Sequence, residues 1–326
     1  MSAASDTVDH DILIDRQQTA FGIHGTLRSW ISSFVKDRTQ TVTLAGSRSN
    51  TSDVKYGVPQ GSVIGPVLFL LYTAEVTAIT HRHSIGAHSY ADDTQLYIPR
   101  KAEDLESSIP HLITCIAQIN CGMSASRLKL NTDKTQFILL GTRHLLVQVK
   151  RKSVSLDGVD ISFSDNVTCL GVVFNNELEF STHIKRLTGK CVYHLHQMRS
   201  VRCSLSVDAA KTLVNAFITS QIDYCNSVFS RVAVTHQSVL IAAARLIVKK
   251  CKYDTITATI SDVLHWLPIQ QRIEYRICDL VYKAMHHTAP VYLTELCVPV
   301  SIHQGHANLR SATHGDLSVA ANKGTT

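Results

Sequence analysis

Apolar positions three and four apart predict helix over residues 12–35, interrupted by a turn near Gly22 to Gly25. Leu27, Trp30, Ile31 and Phe34 fall at i, i+3, i+4 and i+7, a face expected to be buried. Residues 40–44 alternate apolar and polar, as a half-buried strand does, and end in the turn-rich stretch 46–52. Residues 57–65 form a loop with three glycines, and Pro66 then suits the first turn of an apolar helix reaching about Thr80. Residues 85–98 read as two strands around a tight turn with Asp92 and Asp93 at the tip. A helix over 103–124 follows, then a strand over 135–140 that Gly141 ends.

Residues 154–174 return to a β pattern, with Asp157-Gly158 as a hairpin signal. From Thr182 the texture is helical: Ile184, Leu187, Cys191, Leu195 and Met198 share a stripe, with Arg186 and Lys190 on the polar side. Further helices are expected over 208–223, 237–250 and 268–286, and the polar residues 301–326 are expected to be disordered. The layout is a mixed α/β unit followed by a helical one, joined near 175–182.

Composition narrows the class. With 326 residues, 44% of them hydrophobic and 18% charged, the chain is neither a charged disordered tail nor a fibrous repeat. The longest apolar run, 63–72, is too short to span a bilayer and is broken by Gly65 and Pro66. No basic segment followed by an apolar one opens the chain, so an intracellular protein of nucleus or cytoplasm is expected, not a secreted one. Nine cysteines without a CxxC pair suit a reducing compartment, where they are expected to serve mostly as small buried hydrophobes. The histidine pairs His81/His83 and His286/His287 lack the partners of a zinc site. Residues 1–150 carry 14 Lys and Arg against 13 Asp and Glu, and residues 151–326 carry 18 against 13. That basic second half is compatible with a polyanionic partner.

Tyr90-Ala91-Asp92-Asp93 sets two adjacent carboxylates in a β-turn between apolar strands. Hard divalent cations take oxygen ligands, and two-metal phosphoryl transfer needs acids from at least two chain segments. Turns also use aspartate without any chemistry, so the pair alone supports either reading. Gly57-Val58-Pro59-Gln60-Gly61-Ser62 begins 33 residues before Tyr90, and Leu128-Lys-Leu-Asn131-Thr-Asp133-Lys134-Thr135 begins 38 after it.

With Cys169-Leu-Gly171-Val downstream, this order and spacing resemble the palm of reverse transcriptases. Asp6-Thr-Val-Asp9-His10, Ile222-Asp-Tyr224-Cys225-Asn226-Ser and Leu264-His-Trp266-Leu-Pro268 are similar to LINE-type (non-LTR) retrotransposon polymerases over about residues 2–312. The resemblance implies an α+β fold. A right-hand polymerase palm, an antiparallel sheet packed on helices, would cover 1–142 without its fingers. A palm–thumb β-hairpin region would span 143–181 and a helical thumb or connection 182–300. It implies Asp92 and Asp93 as Mg²⁺ or Mn²⁺ ligands, with Asp92 the direct one, and Tyr90 beside the primer end. Gln60 and Gly61 would contact template and incoming nucleotide, and Ser5 would stand where the family crowds the sugar 2′ position. Lys134 matches the lysine that steadies the leaving pyrophosphate, or is a solvated side chain beside Asp133. Arg186, Lys190, Arg199 and Arg202, with Lys249, Lys250 and Lys252, would meet a duplex backbone, or line a solvated helix face. An RNA template and a DNA primer are the implied partners, with no membrane.

In the family the first metal-binding aspartate stands six positions before the residue matched by Asp6, one position ahead of Met1. Little or no polymerase activity is therefore expected of this chain alone. A catalytically silent palm–thumb that binds RNA, DNA or a protein partner is the alternative. An unrelated Mg²⁺-dependent phosphotransferase built on Asp92 and Asp93 is a third.

Overall fold

The computed structural model describes residues 6–229, 234–302 and 316–318. They form two compact units that divide between Asp165 and Asn166. Helices and five two-stranded antiparallel sheets make up both.

In the first unit, α1 (His10–Phe21) starts where the Asp9 side chain accepts hydrogen bonds from the amides of Asp11 and Ile12. It stops at Gly22, whose φ of 64° is the left-handed conformation that closes helices. α2 (Gly25–Val35) packs on α1 through Ile31 and Val35. Leu27 and Trp30, expected inside, are each 52% exposed, because the packed stripe is Ile31–Val35 and they lie to one side of it. Short ladders follow: β1 (Arg38–Gln40), β2 (Thr43–Leu44), β3 (Ser47–Arg48) and β4 (Ser52–Val54), with β1 paired to β4 and β2 to β3. The apolar helix is two helices, α3 (Gly65–Thr73) and α4 (Glu75–Arg82). At the break the Thr73 hydroxyl donates back to Phe69 O, a bond that bends helices.

β5 (Gly86–Tyr90) and β6 (Asp93–Tyr97) form the expected hairpin, and α5 (Leu105–Ala125) buries Ile109, Cys115, Ile116, Ile119 and Met123. The strand expected over 135–140 is reduced to one bridge, Phe137 with Phe163, and α6 (Arg143–Gln148) follows. β7 (Ser153–Leu156) and β8 (Val159–Ser162) turn at Asp157-Gly158. The core gathers Val8, Leu13, Ile31, Val35, Leu68, Phe69, Tyr72, Ile79, Cys115 and Met123.

The second unit opens with β9 (Asn166–Cys169) and β10 (Val172–Asn175), joined through Leu170 and Gly171, both at positive φ as such tight hairpins require. α7 (Ser181–Val201) buries Ile184, Leu187, Cys191 and Met198 as the periodicity predicts. α8 (Val207–Val214) runs through a π-turn into α9 (Ser220–Asp223), covering the helix expected over 208–223. α10 (Val234–Val248), α11 (Ile269–Met285) and the short α12 (Val291–Thr294) complete it. Trp266 is buried in a core with Val214, Ile218, Leu240, Ile247, Ile260 and Ile273.

Most of residues 301–326, expected to be disordered, lie outside the described residues; 316–318 pair with 298–300. Only Cys115 and Cys191 of the nine cysteines are fully buried, which corrects the expectation that most would be. Burial pushes the Cys191 thiol up to about 11, so it stays protonated and inert at neutral pH. Among the described residues, no helix is long and apolar enough to cross a membrane.

Candidate active site

The acidic hairpin is built tightly. Tyr90 pairs with Asp93, leaving Ala91 and Asp92 as the two-residue turn. Ala91 has φ 52°, a conformation costing a non-glycine residue on the order of 1 kcal/mol. The aspartates therefore differ: Asp92 is a half-buried turn residue, whereas Asp93 opens β6 and is exposed. Cross-strand partners share a face, so Asp93, Tyr90, His88, Gln95 and Tyr97 line one side of the ribbon. Leu96 and Ile98 face the other way and pack on the core. The Tyr97 ring lies over Gly86, where a Cβ would come within 2.3 Å of it, and stacks on His88 at 5.1 Å. Glycine here lets an aromatic ring cover the backbone.

Gln60 and Gly61 belong to a loop pinned to residues 6–10. Gly57 N donates to Val8 O at 2.8 Å, His10 Nε2 donates to Gly57 O at 2.8 Å, and Asp9 bridges to Tyr56. Gly57 needs to be glycine, because its φ is 89° and a Cβ would meet Asp6 Cα at 3.0 Å. Gln60 Nε2 donates to Asp6 Oδ1 at 2.7 Å. Ser5 lies outside the described residues.

Behind this loop runs a polar network that the sequence did not disclose. Asp9, besides capping α1, pairs through Oδ2 with Arg127 Nε at 3.1 Å. Arg127 donates to the Tyr56 hydroxyl at 2.9 Å and lies over its ring. The buried Tyr72 hydroxyl accepts from Asp9 N at 3.3 Å and donates to Ser126 O. Burial pushes its pKa up, against the lowering effect of the Asp9 bond. Arg16 completes the chain through Tyr72 O, the Ser126 hydroxyl and Glu75, the last at 2.6 Å. The structure puts Asp9 at the position that caps α1, and its residue type, common at such caps, is the signal that could have disclosed it.

The family described as Reverse transcriptase (RNA-dependent DNA polymerase) matches residues 1–174. The chain belongs to the reverse transcriptase family. It is 28% identical over 207 residues to the "Probable RNA-directed DNA polymerase from transposon BS" of Drosophila melanogaster, covering 61% of this chain and 22% of that protein. It is 26% identical over 220 residues to the "RNA-directed DNA polymerase from mobile element jockey" of Drosophila funebris, covering 63% and 23%. It is 28% identical over 151 residues to the "Retrovirus-related Pol polyprotein from type-1 retrotransposable element R2" of Popillia japonica, covering 43% and 23%. These relatives place it with the LINE-type (non-LTR) reverse transcriptases, and it spans under a quarter of their length.

Other residues singled out in this reverse transcriptase chain sit as follows. Lys134 ends a short 3₁₀ turn capped by Asn131, and its exposed ammonium is in no ion pair among the described residues. Arg186, Lys190 and Arg199 are exposed on α7, a helix of 21 residues without a single Asp or Glu. Lys190 donates to Gln221 at 3.2 Å. Arg202 requires correction: it is buried, and its guanidinium donates to the carbonyls of Leu246, Ile247 and Leu205 at 2.6–2.8 Å. Those carbonyls close α10 and the turn after α7, so the side chain is a structural cap and does not reach a phosphate. Lys250 is likewise occupied, by Thr255 O and the Thr259 hydroxyl.

A divalent cation implied by the family would find hard oxygen donors in Asp92 and Asp93, which fits in ligand type. Among the described residues, no three His, Cys, Asp or Glu side chains gather into a metal-holding group. Any cation held by this pair would take its remaining oxygens from waters or phosphates.

Proposed function

We propose that the chain is the palm and helical thumb portion of a LINE-type reverse transcriptase that copies RNA into DNA by nucleotidyl transfer. Palm would correspond to 1–142, the linking hairpins to 143–181 and thumb or connection to 182–300. The observation that carries this reading is the Asp92–Asp93 turn, raised on a strained, core-backed hairpin within the family match.

Asp92 and Asp93 hold the divalent cation, which when bound neutralises charge on the reacting phosphates. Tyr90, beside Asp93 on the exposed ribbon face, positions the primer end. Gln60 and Gly61 contact template and nucleotide. For its amide to donate there, Gln60 releases Asp6. Lys134, unencumbered by an ion pair, supplies charge or a proton to the leaving pyrophosphate. The polypeptide by itself has little or no polymerase activity, because among the described residues no third acid gathers with Asp92 and Asp93, and two-metal transfer needs acids from at least two segments.

Primer extension on an RNA template with Mg²⁺ or Mn²⁺ tests both parts. The expected result is extension at or near background, and no further change on Asp92→Asn. Robust extension that Asp92→Asn abolishes would overturn the inactivity while upholding the site. Robust extension that survives the substitution would remove Asp92 from the mechanism.

A second reading, a silent module that binds nucleic acid, is favoured by the acid-free α7 and by the charge partition. Residues up to Asp165 carry 16 Lys and Arg against 16 Asp and Glu, and the rest carry 16 against 10. Salt-dependent duplex binding without extension is the result expected of it.

A further inference from the structure

α4 ends in a histidine that α5 holds at two points. His83 follows the last residue of α4, and Ser84 turns the chain at φ 51° toward β5. His83 Nε2 donates to Gln118 Oε1 at 2.9 Å. His111 Nε2 donates in turn to His83 O at 2.7 Å, and the two imidazole centroids lie 5.2 Å apart, tilted by 51°. His111 and Gln118 both belong to α5 and lie about two turns apart on one face. The sequence offered His83 only His81 as a neighbour; packing supplies a histidine 28 positions away.

Those bonds fix the tautomers. A carbonyl or amide oxygen only accepts, so each Nε2 carries the hydrogen and each Nδ1 of the neutral ring keeps its lone pair. Among the described residues neither Nδ1 has a hydrogen-bond partner. Metal-bound histidines are supported in this way: one ring nitrogen donates to an oxygen, which orients the ring and leaves the other nitrogen for the ion. The spacing agrees. With metal–nitrogen bonds of about 2.0–2.1 Å, two imidazoles on one tetrahedral ion have centroids about 5 Å apart.

We propose that His83 and His111 form a site for a divalent transition ion of the Zn²⁺ or Ni²⁺ class, which clamps α4 to α5 just ahead of the acidic hairpin. Imidazole nitrogen selects such ions over Mg²⁺, which takes oxygen ligands, so the site is chemically distinct from the carboxylates of Asp92 and Asp93. His83 is half-buried and His111 exposed, which leaves an entry path from solvent. No third His, Cys, Asp or Glu gathers with them among the described residues, so waters complete the shell and the ion exchanges with solvent. Gln118 is a positioning residue, acting on the ion only through the His83 ring.

The experiment uses the full chain with its exposed thiols alkylated, titrated with Zn²⁺ in a calorimeter and melted with and without the ion. The parent's thermal midpoint rises by about 3–5 °C at Zn²⁺ roughly tenfold above the dissociation constant of the tightest site. His83→Gln and His111→Gln each weaken that site by about tenfold or more and remove the rise, whereas His81→Gln does neither. Gln118→Ala, which touches no ion, weakens it about tenfold, and an excess of Mg²⁺ leaves it filled. Metal-free midpoints close to the parent's show the variants folded; should His83→Gln fall short, His111→Gln, whose ring is exposed, decides. Three results would overturn the proposal: no Zn²⁺ binding by the parent, unchanged affinity in His111→Gln, or an equal loss in His81→Gln. Because no catalysis is read, a failed primer-extension assay leaves this result standing, and the reverse holds too.

Discussion

At the scale of the residue, Asp9 shows how one side chain serves several elements. One carboxylate oxygen caps α1, the other reaches Arg127, and the backbone amide meets the Tyr72 hydroxyl. Arg127 itself holds φ 55°, an uncommon conformation for a side-chain-bearing residue at the end of α5. Its guanidinium is more than half exposed, so the ion pair contributes under about 1 kcal/mol. The cap contributes more, about 1–2 kcal/mol. Asp9→Ala should therefore lower the unfolding free energy by about 1–2 kcal/mol, and Asp9→Asn, which keeps the cap, by less than about 1. Urea midpoints of the two variants, compared with the parent, check the ordering; an equal loss in both would shift the weight to the ion pair.

At the scale of the element, α7 and α10 bring histidines inside the second unit. His183 and His236 are buried, and burial holds both below the ordinary imidazole value of 6.5, with Arg186 adding to the effect on His183 and His183 to that on His236. His183 Nδ1 accepts from Val173 N at 3.3 Å, which fixes the neutral tautomer and ties α7 to β10. In the unfolded chain these imidazoles take up protons as pH drops through 6.5, while in the folded chain they resist. Their contribution to stability is thus complete above 6.5 and is lost as pH falls below it. Thermal midpoints followed from pH 7.5 to about 5 should decline, and His236→Phe should flatten the decline. Elements differed in how far the sequence foretold them. The stripe Ile184, Leu187, Cys191 and Met198 was legible because a long periodic helix has one apolar side and buries it. The Leu27–Trp30 side of α2 was misread because apolar residues on two adjoining stripes leave the buried one to be chosen by the neighbour.

At the scale of the whole molecule, the excess of positive charge belongs to one unit. Only part of it faces solvent freely. Arg202 is spent on three carbonyls, while Arg186 and Arg199 stand clear on α7. Arg186→Ala or Arg199→Ala should each reduce the salt slope of duplex binding by about one, with stability nearly unchanged. Arg202→Ala should leave that slope alone and cost about 2–4 kcal/mol, because buried carbonyls lose a charged donor. A salt titration of the three variants, with denaturation curves alongside, separates the two roles.

By itself the sequence determined the chemistry on offer. The carboxylate pair, the glutamine loop, the helix stripes and the family all follow from residue type at fixed spacing, a property of chain neighbours. Only the tertiary structure decided which polar groups are free. Asp9 with Arg127, Gln60 with Asp6 and Arg202 with the end of α10 join residues from 44 to 118 positions apart. Such pairings depend on where packing brings distant segments, and a buried charge must find a partner wherever the fold offers one. For that reason an arginine that reads as a phosphate contact became a helix cap, and Tyr72, packed in the core, joins a polar network through its hydroxyl.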